Sequence, residues 1–221
     1  MKISEMIGAI IPTLVFNAKA FGCIGALNKR FPVFIGKGIK VGKVAKGTII
    51  LSECRTGIVR IGFGGVADMP ANGGGAIRID DGANVHFYGR IGIAEGCDIL
   101  IGKKSKVHFG NNFSAGKNFY LSSNTGVSFG ENVLLGWNVA IRDSDGHSVI
   151  INGEKKKSEK PIAIGNHVWI GADTTLLKGS VVKDNSIIAT KAVVTKAFDE
   201  ENVVIGGFPA TIIERGINWE K

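Results

Sequence analysis

The chain has 221 residues, which predicts one domain or one domain with a small appendage. Gly supplies 32 residues and Pro only 5, without a Gly-X-Y period, so collagen and disordered linkers are excluded. The net charge of +8 favours an anionic partner or reflects ordinary surface lysines, and no Arg-rich tract or aromatic-basic motif supports nucleic acid. Cys23, Cys54 and Cys97 are widely spaced, which fits free thiols in a reducing compartment.

The first 35 residues lack any strand repeat. The run from Met6 to Phe16 is almost entirely apolar, and Ala18-Lys19-Ala20 imitates the cleavage site of a secretion signal. Because Glu5 offsets the leading Lys, Pro12 interrupts the run and the run is too short to cross a bilayer, we instead predict a helical or irregular cap over the first coil. A weak contact of this segment with a membrane surface also fits its apolar character.

A β pattern begins near Phe34 and continues to residue 205 with two interruptions. The first runs from Gly62 to Gly75 and lacks a phosphate-binding motif, so we interpret it as a loop between coils. The second, residues 142–163, is polar and predicts an extruded loop, where function usually lies on a rigid scaffold. His86 and His108 lie outside both loops, and strand alternation predicts that they point outward.

The clearest repeat has a period of six. Its leading positions are all aliphatic: Ile164, Ile170, Leu176, Val182, Ile188 and Val194. The fifth place of each of the first five repeats holds a small or β-branched residue: Val168, Thr174, Ser180, Ser186 and Ala192. Two columns in phase are typical of the hexapeptide repeat of a parallel β-helix, in which stacked coils bury the aliphatic residues. We predict that Gly after the aliphatic residue tolerates unusual backbone angles at the bend.

These patterns divide the chain into three parts. Residues 1–35 form the cap, residues 36–205 form the β-helix with its extruded loop at 142–163, and residues 206–221 form a tail. An open β-helix end exposes unpaired backbone groups, so the tail is predicted to cover it.

Three segments together carry a family resemblance: Asp143 to His147, Ile164 to Ala172, and Val194 to Lys196 with Gly206 to Ala210. They resemble the hexapeptide-repeat acyltransferases, and more narrowly the O-acetyltransferases of capsule, lipopolysaccharide and exopolysaccharide assembly. The resemblance implies an all-β fold, a left-handed parallel β-helix, in a homotrimer with active sites between subunits. It also implies acetyl-CoA as acyl donor and a saccharide acceptor. We expect no metal requirement and a cytoplasmic location, with the inner face of the membrane also open.

His147 is the predicted general base, because it ends a polar loop segment where the repeat stops. A neutral imidazole with an ordinary pKa of about 6.5 can take a proton from an alcohol at neutral pH. Asp143 and Asp145 are candidates to hold the other ring nitrogen, or they are turn-forming residues. Asn138 on the preceding coil is a weaker candidate for contacting the base or the acceptor.

Trp169 is expected to point outward, where it needs a partner. The resemblance places it beside the acceptor or the pantetheine arm, and burial between subunits is the alternative. Backbone N–H groups of Gly171 and near Ala189 are predicted to line the pantetheine channel and to supply an oxyanion donor.

The C-terminal end is where the resemblance implies binding of the adenine and the 3′-phosphate. Lys191, Lys196 and the turn at Phe208 and Pro209 lie there, and solvated lysines are the alternative interpretation. The run Lys155 to Lys157 is interpreted as solvated, and contact with an anionic acceptor is the weaker alternative.

Other functions use the same fold. An N-acyltransferase acting on an amino-sugar nucleotide and a non-catalytic binding or structural β-helix both remain open. A zinc carbonic anhydrase of this fold needs two His residues five apart, and the sequence has no such pair.

Overall fold

A computed structural model describes residues 3–65 and 74–220, so the centre of the predicted loop from Gly62 to Gly75 lies outside the described residues. Two helices open the chain, α1 (Ile3–Phe21) and α2 (Cys23–Asn28). All other regular structure in the described residues consists of strands.

The strands are short and are numbered in chain order. The first twelve are β1 (Val33–Ile35), β2 (Ile39–Val44), β3 (Ile49–Leu51), β4 (Val59–Ile61), β5 (Gly75–Ile79), β6 (Asn84–Phe87), β7 (Ile91–Ile93), β8 (Asp98–Ile101), β9 (Lys106–Phe109), β10 (Phe113–Ala115), β11 (Tyr120–Ser123) and β12 (Gly126–Phe129). The others are β13 (Leu134–Leu135), β14 (Ala140–Arg142), β15 (Ile150–Ile151), β16 (Glu154–Lys155), β17 (Ile162–Ile164), β18 (Trp169–Ile170), β19 (Thr175–Leu176), β20 (Val181–Val182), β21 (Ile187–Ile188), β22 (Val193–Val194), β23 (Val203–Gly207) and β24 (Ala210–Arg215).

Three sheets, parallel except for the last strand of sheet A, form the walls of a prism. Sheet A has the order β1-β4-β7-β10-β13-β18-β21-β23-β24, sheet B β2-β5-β8-β11-β14-β19-β22 and sheet C β20-β17-β12-β9-β6-β3. The chain visits the sheets in the repeating order A, B, C, so each coil adds one strand to each wall. This is the predicted left-handed parallel β-helix. We name its edges the A–B, B–C and C–A corners after the sheets they join.

The six predicted leading aliphatic residues fill the interior, and none is more than 3% exposed. The small residues at the fifth place are all fully buried as well. The coils narrow along the prism: hydrogen bonds link neighbouring coils over 22 residues near Ala76, 20 near Asn112 and 18 near Asn166. The wider coils hold aromatic residues such as Phe109 and Phe113, whose rings pack 5.0 Å apart.

At the A–B corner, the glycines that follow the interior residues serve a different purpose from the predicted one. Gly116, Gly136 and Gly171 do not have positive φ. A Cβ at Gly116 would lie 2.7 Å from the backbone of Gly136, and a Cβ at Gly136 would lie 2.8 Å from the backbone of Ala172. These glycines therefore allow neighbouring coils to approach closely at the A–B corner, and the prediction of unusual backbone angles at these positions is wrong.

Left-handed backbone conformations occur instead at other corner residues. At the A–B corner they fall on Asn118, Asn138, Asp173 and Lys191, with φ between 56° and 63°. At the C–A corner they fall on Asn112, Asn132, His167, Asn185 and Asn202. Asn tolerates this region better than most residues, because its short amide bonds locally.

Helix α1 covers the first coil. Phe16 and Ala20 are buried against the core, and two polar side chains of the same face form hydrogen bonds with the backbone of β1. The Asn17 amide donates to the Val33 carbonyl at 2.6 Å, and the N–H of Ile35 donates to the Thr13 hydroxyl at 2.9 Å. The helix thus supplies partners to backbone groups that an open β-helix end would leave unpaired.

The last coil is covered in a different way. Strand β24 turns back and pairs antiparallel with β23 at the end of sheet A. The residues after β24 lie on the outside of the prism, and Trp219 packs there with 8% of its surface exposed. The far end of sheet A is therefore closed by a hairpin rather than by a helix.

Candidate active site

The extruded loop leaves the prism at the B–C corner, between β14 and β17. Its two limbs pair with each other: Ser144 bridges Glu159, and β15 pairs antiparallel with β16. The loop occupies residues 143–161, because strand pairing extends through Arg142 and resumes at Ile162. It is a folded hairpin on the corner rather than an irregular excursion.

Asp143 fixes the base of this loop. Its carboxylate is fully buried and accepts hydrogen bonds from the N–H groups of Asn124, Thr125 and Gly126 at 2.7–2.8 Å. The Ser123 and Thr125 hydroxyls donate to it at 2.8 and 3.0 Å. Five donors from the preceding coil compensate the buried negative charge. The carboxylate of Asp143 therefore bonds residues 123–126 and not His147.

Asp145 connects the loop to the following coil. Its carboxylate forms an ion pair with Lys178, whose ammonium group also donates to the Lys157 carbonyl at 2.9 Å. The Asp145 N–H donates to the Ser158 carbonyl at 2.9 Å. Both predicted aspartates therefore hold the loop, one to the coil before it and the other to the coil after it.

His147 lies two residues beyond Asp145 and is exposed to solvent. Neighbouring Gly146 has a φ of +78°, and its N–H donates to the Ser144 hydroxyl at 3.1 Å, which turns the chain sharply before the imidazole. Within residues 3–65 and 74–220, no hydrogen bond reaches the imidazole ring. The loop thus presents an accessible imidazole on a backbone that is fixed at its base.

Asn138 lies at the other edge of sheet B, in the A–B corner. Its carbonyl oxygen accepts from the Asn118 amide at 2.9 Å, and its amide donates to the Asp173 carboxylate at 2.8 Å. This ladder links three consecutive coils. The width of sheet B separates Asn138 from the loop of His147 in the same chain.

Trp169 points outward from sheet A, as predicted, and is 41% exposed. It lines a groove of about 350 Å³ together with Trp137, Leu134 and the small residues Gly92 and Ser114 of earlier coils. Trp137, 39% exposed, stands at the A–B corner beside Asn138. The two indoles form an apolar wall of this groove. The small residues form a narrow floor that leaves room for a thin chain.

The predicted backbone donors are occupied. The N–H of Gly171 donates to the Ile188 carbonyl at 2.7 Å, and that of Ala189 donates to the Ile205 carbonyl at 2.8 Å. Both bonds belong to the ladder between coils. These groups are therefore unavailable as oxyanion donors, and that part of the prediction is wrong.

The remaining predicted cofactor residues divide between two corners. Lys191 is exposed at the A–B corner, and the hairpin turn with Phe208 and Pro209 lies at the C-terminal end of the same edge. Phe208 is 81% exposed. Lys196 instead lies near the B–C corner, with its ammonium group 5.4 Å from the centre of the Phe198 ring.

An aromatic stack beside the groove was not predicted. Trp219 stacks on His167 with ring centres 4.2 Å apart, and its indole N–H donates to the His167 carbonyl at 2.9 Å. His167 also bonds Asn185 at 3.2 Å, and the Trp219 ring lies 6.1 Å from that of Trp169. The tail therefore forms part of the surface next to the groove.

Other reactive side chains belong neither to the extruded loop nor to the lining of the groove. His86 stacks on Tyr88 at 3.8 Å on the outside of sheet C, and burial, with His108 nearby, lowers its pKa. The three cysteines are free, and burial raises the pKa of the Cys97 thiol to about 12. In the part of the chain that the structure describes, no three His, Cys, Asp or Glu side chains are placed to hold a metal ion. None of the described helices is both long and apolar enough to span a bilayer.

Comparison with known proteins agrees with this architecture. A family model described as bacterial transferase hexapeptide (six repeats) matches residues 161–196. The galactoside O-acetyltransferase of Escherichia coli (strain K12) is 38% identical over 118 residues, which cover 52% of this chain and 56% of that relative. The chain is similar to the hexapeptide-repeat acyltransferases. It spans little more than half the length of this curated relative.

Two solved acyltransferase structures share the fold. The polySia-specific acetyltransferase NeuO has a TM-score of 0.62 at 23% identity, covering 85% of this chain and 74% of that one. A mutant of AntD, an N-acyltransferase from Bacillus cereus in complex with dTDP and coenzyme A, has a TM-score of 0.52 at 16% identity, covering 83% and 81%. At these identities the likeness establishes the β-helix alone.

Proposed function

We propose that this chain transfers an acetyl group from acetyl-CoA to a hydroxyl of a surface-polysaccharide sugar or its precursor, with His147 as general base. The observation that carries the proposal is an exposed imidazole on a loop whose base Asp143 anchors with five hydrogen bonds. The galactoside O-acetyltransferase relative supports the class of acceptor and the transferred group.

The chemistry needs one proton acceptor beside a thioester. The imidazole takes the proton of the acceptor hydroxyl while its oxygen attacks the thioester carbonyl. The C–S bond then breaks, the acetyl ester remains on the sugar, and the coenzyme A thiolate takes up the proton that the imidazole carries. The imidazole lies on the exposed loop. The groups that bind the thioester must therefore come from a different part of the protein surface.

The groove along Trp137 and Trp169 is the proposed site for the pantetheine arm. Its small-residue floor and aromatic wall suit a thin, mostly apolar chain. Lys191 and Phe208, further along the same edge, are the proposed contacts of the 3′-phosphate and the adenine ring. Both are exposed, so a nucleotide could reach them.

Within one copy, sheet B separates this groove from His147. We therefore propose that the complete site forms between copies in a homotrimer, with the loop of one copy facing the groove of its neighbour. This arrangement accounts for an imidazole that has no hydrogen bond within the described residues of its own chain and for two half-exposed tryptophans. A coenzyme A substrate also fits the predicted cytoplasmic location.

The test is acetyl transfer from acetyl-CoA to a panel of saccharides by the wild type and by His147→Ala. We expect turnover to fall by at least ~100-fold in the variant, while coenzyme A binding measured by calorimetry stays unchanged. His108→Ala is the matched control, because it removes an imidazole from the outside of sheet C. Equal turnover of His147→Ala and the wild type would refute the assignment of the base.

The same assay separates the two open alternatives. A product that mild hydroxylamine cleaves is an ester, whereas a resistant amide would indicate N-acylation of an amino sugar. A chain that binds no coenzyme A and turns over no acceptor would support the non-catalytic β-helix.

A further inference from the structure

The outer face of helix α1 remains apolar although the helix is folded onto the prism. We define this outer face by four side chains: Ile7, Ile10, Ile11 and Leu14. Their exposed fractions are 64%, 54%, 73% and 47%. In the following helix α2, Ile24 and Leu27 are 76% and 63% exposed. Contiguous exposed apolar side chains of this size mark a surface that contacts something other than water.

The inner face of the same helix packs on the prism and forms hydrogen bonds with it. Phe16 and Ala20 are buried, and Thr13 and Asn17 bond the edge of β1. The outer residues are therefore not needed to attach the helix to the prism. A groove of about 290 Å³ runs between α1 and the first coil, lined by Ile10, Leu14 and Phe34, and it extends the apolar surface sideways.

The net charge of the chain is concentrated at this end. The first 60 residues carry ten Lys and Arg against two Glu, and the remaining sequence carries seventeen basic and seventeen acidic residues. Neither Asp nor Glu occurs between Glu5 and Glu53. The whole excess of +8 therefore belongs to the cap and the first coils.

Several of these lysines border the two helices directly. The Lys37 side chain runs past Gly8 of α1, where an added Cβ would lie 2.7 Å from it. Lys46 lies beside Gly22, between the helices, and the Lys29 ammonium group lies 5.7 Å from the centre of the Phe21 ring. Lys19 reaches the Gly42 carbonyl at 2.6 Å from the last turn of α1.

We propose that this end of the prism docks on an anionic lipid surface, with α1 lying in the plane of the interface. An apolar helical face flanked by lysines is the arrangement that inserts at the boundary between headgroups and acyl chains. Anionic headgroups attract the bordering cations.

The experiment is sedimentation of the full-length protein with vesicles of phosphatidylcholine alone or mixed with phosphatidylglycerol. We expect binding to the mixed vesicles, at least ~10-fold weaker binding to phosphatidylcholine, and loss of binding at high salt. Lys37→Gln with Lys46→Gln should weaken binding by roughly 30-fold.

The double variant Ile7→Gln with Ile11→Gln should weaken binding by ~100-fold, because two buried apolar contacts are lost. Ile150→Gln with Ile213→Gln is the control, because these side chains, on the extruded loop and on β24, have similar exposure, 68% and 59%. Circular dichroism should show that every variant retains the fold.

Three results would overturn the proposal. The first is failure of the wild-type protein to bind either vesicle. The second is equal loss of binding in the control variant. The third is a change in oligomeric mass of the Ile7 and Ile11 variant without lipid, which would show that a second copy covers this face. Acetyl transfer is measured separately, and its outcome does not affect this test.

Discussion

The A–B and B–C corners border the same sheet, yet they use polar side chains differently. At the A–B corner, Asn118, Asn138 and Asp173 repeat from coil to coil and bond one another. At the B–C corner the repeat is interrupted, and Asp143 gathers donors from one coil to hold a hairpin loop. The comparison teaches that a regular corner joins coils, whereas an interrupted corner can present a reactive group without disturbing the stack.

The largest expected effect concerns the anchor of the interrupted corner. Asp143→Ala leaves three backbone N–H groups without their buried acceptor, so we expect the free energy of unfolding to fall by roughly 3–5 kcal/mol. Urea unfolding followed by circular dichroism measures this change. Asp145→Ala is the control from the same loop, since its carboxylate is partly exposed. An equal loss of unfolding free energy in both variants would show that Asp143 anchors the loop no more strongly than Asp145 does.

The regular corner can be tested through its close approach between coils. Gly116→Ala places a Cβ 2.7 Å from the backbone of Gly136, and we expect a loss of ~1–3 kcal/mol in unfolding free energy. Gly92→Ala is the matched substitution, because a Cβ there meets nothing within 4 Å. Thermal unfolding of the pair measures the difference. Similar stability of the two variants would show that the neighbouring coils can move apart at this corner to accept a Cβ.

The smallest expected effect concerns the contact between the loop and the next coil. Lys178→Met removes the partner of Asp145 and a bond to Lys157, but the ion pair is partly exposed. We expect a change below ~1 kcal/mol in unfolding free energy. If this contact positions His147, turnover falls by up to ~10-fold with an unchanged KM for acetyl-CoA. A change in KM alone would place Lys178 with the coenzyme instead.

Much of the β-helix followed from the sequence, because its period is a direct consequence of packing. Each interior position must be apolar in every coil, so Ile164, Ile170 and Leu176 recur at a fixed spacing. The purpose of the glycines did not follow, because close approach and positive φ both select Gly. The Asn residues at the corners carried a visible signal, since Asn112 and Asn118 return 20 residues later as Asn132 and Asn138.

The candidate site was only partly accessible to sequence reasoning. The break in the repeat marked the loop and His147, but spacing could not separate an aspartate that anchors from one that orients an imidazole. That distinction depends on which donors surround Asp143 after folding. The stack of Trp219 on His167 joins residues 52 apart and leaves no periodic trace. The proposed meeting of His147 with the groove needs a second copy of the chain, and spacing within one sequence carries no signal for such a contact.

The placement of the tryptophans has a practical consequence. The sequence has three, and Trp137 and Trp169 line the groove while Trp219 lies 6.1 Å from Trp169. Indole emission depends on nearby polarity and quenchers, so all the tryptophan fluorescence of the chain comes from the neighbourhood of this groove. Its occupancy by an unlabelled ligand can therefore be read optically, without attaching a probe.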